Sequence, residues 1–145
     1  MLQNELDMSF NYAPITYGDM TNGKEHPRKG RVSSLAAQSI KGEKLLSQTL
    51  QRLENKYSLF TIRVIDKEDI VPTISGGHMD ILLRNGNGIS IGDIISAQTF
   101  PQDYDFLSDS YCNIEYLCGM SVPPIMIKRI VTRLIESGVF DAENI

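Results

Sequence analysis

Two adjacent prolines, Pro123 and Pro124, open the last amphipathic segment of this chain, and that segment restricts the fold more than any other feature. Proline is tolerated in the first turn of a helix, where its missing N–H has no intrahelical partner to lose. Ile127, Ile130, Val131 and Leu134 then recur on one stripe, while Lys128, Arg129, Thr132, Arg133 and Glu136 fall on the other. The spacing predicts a helix capped by Ser121 and stopped at Gly138. Its apolar stripe has to be covered, so a fold must supply a surface beneath it, from this chain or from another.

Upstream, patterning is weaker. Residues 1–31 are rich in Asn, Gly, Pro and Asp and read as a loop-dominated arm. Leu46, Leu50, Leu53 and Tyr57 recur at helical spacing, which predicts an amphipathic helix over 42–57. The β-branched and aromatic run SLFTIRVI predicts a strand over 58–65. Pro72 favours an extended piece, a second strand is expected over 79–83, and NGNG marks a turn. Ser90 followed at the third position by Asp93 has the form of a capping box, with Ile94 and Ile95 facing inward. The expected class is α+β: a small, irregular, β-containing region with short helices over 1–86, and two helical blocks over 87–145.

Charge is unevenly divided. Through Lys67 there are ten Lys and Arg against seven Asp and Glu; from Glu68 onward there are four against eleven. The basic excess suits a surface that meets phosphates, and Lys24, Arg28, Lys29 and Arg31 are the candidates for neutralising them. Thr73, Gly76, Gly77 and His78 form a loop able to approach a groove closely and offer hydrogen bonds there. Cys112 and Cys118 have no zinc-site spacing around them, and no metal site is expected. The N-terminus has neither a basic region nor an apolar core, and no run of eighteen apolar residues occurs. A cytoplasmic protein with no membrane span is therefore expected.

Three ordered pieces carry a resemblance. PTISGGH (72–78), SIGDIISAQTFPQDYDF (90–106) and GMSVPPIMIKRI (119–130) together resemble the C-terminal part of DNA cytosine-5 methyltransferases. In that family a recognition region ends at a glycine-rich loop. A capped helix closing on Gln-Thr-Phe-Pro follows, and then a Gly-Asn-Ser-Val-Pro-Pro turn leads into the final helix. Here Met120 stands where the family has Asn, Asn87 where it has Arg, and Asp93 where it has Glu.

The resemblance implies double-stranded DNA as partner and S-adenosylmethionine as cofactor. Met120, Ser121 and Val122 would line one wall of the cofactor pocket. Ile127, Ile130, Val131 and Leu134 would dock on a Rossmann-like catalytic domain or subunit. The family's chemistry needs a thiolate that adds to cytosine C6 and a glutamate at N3, after the base has left the duplex. The 145 residues contain no Pro-Cys dipeptide, no Glu-Asn-Val triplet and no Phe-x-Gly-x-Gly turn, so no catalytic residue is assigned. The reading is of a DNA-recognition portion, inactive without a companion. A non-catalytic DNA- or protein-binding module is the alternative.

Overall fold

The computed structural model describes residues 11–76 and 81–138. Its elements follow in the order α1 (Tyr17–Met20), β1 (Glu25–His26), α2 (Arg31–Ala36), α3 (Leu46–Glu54), β2 (Arg63–Ile65), β3 (Ile81–Leu83), β4 (Gly88–Ile89), α4 (Ile91–Ala97), α5 (Tyr111–Met120) and α6 (Pro124–Glu136). The fold is α+β, built on a small mixed sheet in the order β1-β4-β3-β2. β2 and β3 run parallel, with Val64 opposite Leu82, whereas β4 is antiparallel to both β3 and β1. Among the described residues no helix is long and apolar enough to cross a membrane.

Local chemistry explains most boundaries. The NGNG turn closes the β3–β4 hairpin, with Gly86 at φ 90°. A Cβ there would meet the Ser33 carbonyl oxygen at 2.5 Å, so the turn also needs glycine for close approach. α4 carries the expected reciprocal cap: the Ser90 hydroxyl accepts from the Asp93 N–H, and Asp93 accepts from the Ser90 N–H. The same carboxylate is buried and also accepts from the Tyr17 and Thr21 hydroxyls, tying α1 to α4. α1 repeats the device, with Thr16 and Asp19 capping each other.

Two apolar clusters form the core. One gathers Tyr17, Ile65, Ile74, Ile81, Leu83, Ile89, Ile94, Ile114 and Cys118, joining residues from both sides of position 87. The other packs Leu35, Ala36, Leu46, Leu50, Ile62, Val64 and Leu82 on the opposite side of the sheet strands. Both are assembled from this chain alone.

Several expectations are corrected. The arm over 1–31 is less loop-dominated than expected, since α1 and β1 lie within it. The helix expected over 42–57 occupies only Leu46–Glu54, because Asn55 at φ 53° ends it in a left-handed turn. Tyr57 therefore lies beyond the helix and is exposed, and Leu53, although inside it, is also exposed rather than continuing the inward stripe of Leu46 and Leu50. The strand expected over 58–65 is confined to Arg63–Ile65. Ile94 is buried as expected, but Ile95 is only half-buried. Of the strand expected over 79–83, Ile81–Leu83 is found, and Met79 and Asp80 lie outside the described residues.

The largest correction concerns the segment before the final helix. Gly119 and Met120 are not a turn but the last residues of α5, a helix the apolar pattern did not announce. Ser121 consequently caps nothing at the start of α6. Its hydroxyl donates back to the Leu117 carbonyl at 2.6 Å, and Pro123 is the N-cap of α6.

Candidate functional site

The three sequence blocks that carry the resemblance meet in space. The loop over 71–76, the end of α4 and the α5–α6 junction surround a cavity of about 310 Å³. Val71, Pro72, Thr73 and Ile74 supply one side, Ala97 and Gln98 a second, and Gly119, Ser121 and Pro123 a third. The volume lies at the small end of the range for ligand pockets.

Close backbone packing holds this junction. A Cβ on Gly119 would fall 2.2 Å from the Ser75 carbonyl carbon and 2.4 Å from the Gly76 nitrogen, so α5 seats directly on the loop backbone. Gly76 in turn lies under the Met120 side chain, whose Sδ would be 2.6 Å from an added Cβ. The buried Gln98 side chain donates from Nε2 to the Ile74 carbonyl at 3.4 Å, fastening α4 to the loop. Its Oε1 is buried without a partner among the described residues. Across the junction, the Ile125 N–H at the start of α6 donates to the Thr99 hydroxyl at 3.1 Å.

Of the three residues expected at a cofactor wall, only Ser121 borders the cavity; Met120 covers Gly76, and Val122 is exposed. Thr73 is exposed and also borders it. Gly77 and His78 lie outside the described residues. The side-chain heteroatoms among the lining residues are the Thr73 and Ser121 hydroxyls and the Gln98 amide. Such a wall can bind and orient a small polar group, and among the described residues it holds no acid–base pair or activated nucleophile. Cys118 is fully buried on the inner face of α5, and burial pushes its thiol up to about 11, which removes it as a nucleophile near neutral pH. Among the described residues no cluster of His, Cys, Asp and Glu can hold a metal ion.

One basic candidate, Arg28, lies at the other end of α5. Tyr111, the first residue of that helix, stacks on His26 of β1 with ring centroids 4.1 Å apart, and Arg28 sits 5.4 Å over the same ring. Ten residues of helix span about 15 Å, so α5 links the basic arm at its start to the loop and cavity at its end. Lys24 and Lys29 are exposed. Arg31 instead pairs with Glu54 at 2.5 Å, which reduces its value as a phosphate contact.

α6 buries none of its residues. Ile127, Val131 and Ile135, spaced four apart on one face, are 45%, 44% and 62% exposed. Ile130 and Leu134 of the expected stripe are half-buried. The uncovered ridge is thus rotated toward Ile127, Val131 and Ile135, with Ile125 and Met126 exposed beside its beginning.

Gln98 and Thr99 were missed as site residues. The signal was present in the QTFP block, whose Gln and Thr bind the neighbouring segments while its Phe packs on the core. The chain matches no protein-family model, no curated protein and no solved structure.

Proposed function

We propose that this chain is the DNA-recognition and C-terminal portion of a DNA cytosine-5 methyltransferase. In this reading it binds double-stranded DNA and lends one wall to an S-adenosylmethionine pocket whose remainder belongs to a catalytic companion. The observation that carries the reading is the meeting of three blocks, distant in sequence, around one cavity. A chance collection of a helix stop, a glycine loop and a prolyl helix start has no reason to share a wall.

Two further features support it. The apolar ridge of α6 is uncovered on a chain that encloses two other clusters, as a surface meant for a foreign sheet would be. Lys24 and Lys29 are exposed, Arg28 lies near the same end of α5, and that helix rests at its other end on the loop that would face a groove. Thr73 and Gly76 of that loop, with Gly77 and His78 beyond it, would read or approach the bases. The chemical step belongs to the companion, which must supply the thiolate, the glutamate and the main cofactor loop.

The test is reconstitution. The purified chain is mixed with the catalytic half of a cytosine-5 methyltransferase carrying the Pro-Cys and Glu-Asn-Val blocks, duplex DNA and tritiated S-adenosylmethionine. Label in DNA that requires both polypeptides supports the proposal; a formed complex that transfers nothing contradicts it. A stand-alone binding module is the second reading, favoured by the two self-contained clusters, and it predicts salt-sensitive duplex binding with no companion present.

A further inference from the structure

The segment between α3 and β2 exposes two aromatic rings where the helical pattern placed one of them inward. Tyr57 is 67% and Phe60 55% exposed, with ring planes 22° from parallel and centroids 6.4 Å apart. A planar base is about 3.4 Å thick, so one held between two rings needs centroids roughly 7 Å apart. The present centroid separation is close to that value, so a side-chain adjustment would admit a base.

The pair is held from below. Leu59 lies between the two rings in sequence, has φ 62° and packs its side chain on the second core cluster. A left-handed conformation is unfavourable for leucine and persists only where surrounding structure imposes it. Here the half-buried Leu59 anchors the loop, and Tyr57 and Phe60 on either side of it are exposed. Asn55 at φ 53° makes the other bend, so two left-handed residues shape a five-residue segment. Water-exposed aromatic rings fixed by backbone strain are poorly explained by core packing.

The surrounding charge is positive. Arg31 and Lys56 both reach Glu54, at 2.5 and 3.1 Å, so two cations share one carboxylate. Arg63, the first residue of β2 and three residues after Phe60, is exposed and forms no ion pair with another described residue. An aromatic platform beside a surplus of cations is the arrangement that takes unpaired bases while neutralising the strand's phosphates.

We propose that Tyr57 and Phe60 form a stacking clamp for an unpaired base of a single-stranded nucleic acid, with Lys56 and Arg63 meeting its backbone. This site is separate from the α4–α5–α6 cavity and needs no companion polypeptide.

The test is fluorescence anisotropy of a labelled twelve-residue oligothymidylate at low salt. The comparison strands are an abasic strand of the same length, an oligouridylate and a duplex. Tyr57→Ala and Phe60→Ala should each weaken binding of the thymidylate about five-fold or more, Tyr57→Phe should bind as wild type, and the abasic strand should bind as poorly as the alanine variants. Both rings are exposed, so an unchanged melting midpoint will show that the variants fold. Equal binding of ribo and deoxy strands assigns recognition to the base ring, and a preference identifies which strand the clamp takes. Affinities within two-fold of wild type in both alanine variants, or full affinity for the abasic strand, overturn the clamp. Duplex binding is the separate readout of the proposed function: its loss with single-strand binding intact would sink that function and leave the clamp standing.

Discussion

Substituting Gly119 by alanine puts the account of the junction at risk. In a helix this change ordinarily stabilises by about 0.5–1 kcal/mol, because alanine loses less backbone freedom on folding. Here the added methyl would sit 2.2 Å from the Ser75 carbonyl carbon and 2.4 Å from both the Ser75 oxygen and the Gly76 nitrogen. All three are backbone atoms, which cannot swing aside, so α5 must lift from the loop. Overpacking of this kind costs about 1–3 kcal/mol, and a rigid wall favours the upper end, leaving a net loss of about 1–2 kcal/mol. For a chain of this size each kcal/mol lowers the melting midpoint by about 2–4 °C. Gly76→Ala is the matched control. Its methyl meets the Met120 side chain, whose flexible thioether can move away, so the change should be nearly neutral. Urea unfolding of both variants, with unchanged slopes, measures the difference. Gly119→Ala as stable as wild type, or more so, would refute the close packing of α5 on the loop.

Two other outcomes follow from the electrostatics and the thiols. The Arg52 guanidinium, 2.7 Å from Glu43, holds that carboxyl down at about 2, helped by the Ile40 N–H and the Thr49 hydroxyl. A folded value below the ordinary 4.5 means that the stabilisation is complete above 4.5 and is lost as pH falls from there through about 2. The melting-midpoint gap between wild type and Arg52→Gln should therefore be open near neutral pH and close across that window; a gap independent of pH argues against the pairing. In thiol titration of the native chain, the exposed Cys112 should react promptly and the buried Cys118 only after denaturant is added. Prompt reaction of both would show that the inner face of α5 is not packed against the core as described.

What could be read from sequence was local. The Ser90–Asp93 cap, the NGNG turn and the proline-led start of α6 each depend on residues within one turn of one another, and each was found. The failures have tertiary causes. α5 has a mixed face, with Ile114 and Cys118 buried beside a buried Glu115, so its pattern reads weakly as a helix. Gly119 looked like a turn residue, but its lack of a side chain serves the contact with Ser75, a partner 44 positions away that no local pattern announces. Tyr57 kept the helical period after Asn55 had ended the helix. In the basic segment, sequence counts charges but not partners, so Arg31 looks available until Glu54 is placed beside it.

Hydrogen–deuterium exchange on α6, with and without the catalytic companion, tests the central claim most directly. Under the proposed function, the exposed ridge of Ile127, Val131 and Ile135 is the seat for a sheet supplied by another polypeptide. Amides over 125–136 should exchange rapidly in the chain alone and become strongly protected in the complex, and Val131→Glu should abolish both protection and methyl transfer. A complex that transfers methyl groups while α6 exchanges as fast as before would contradict it.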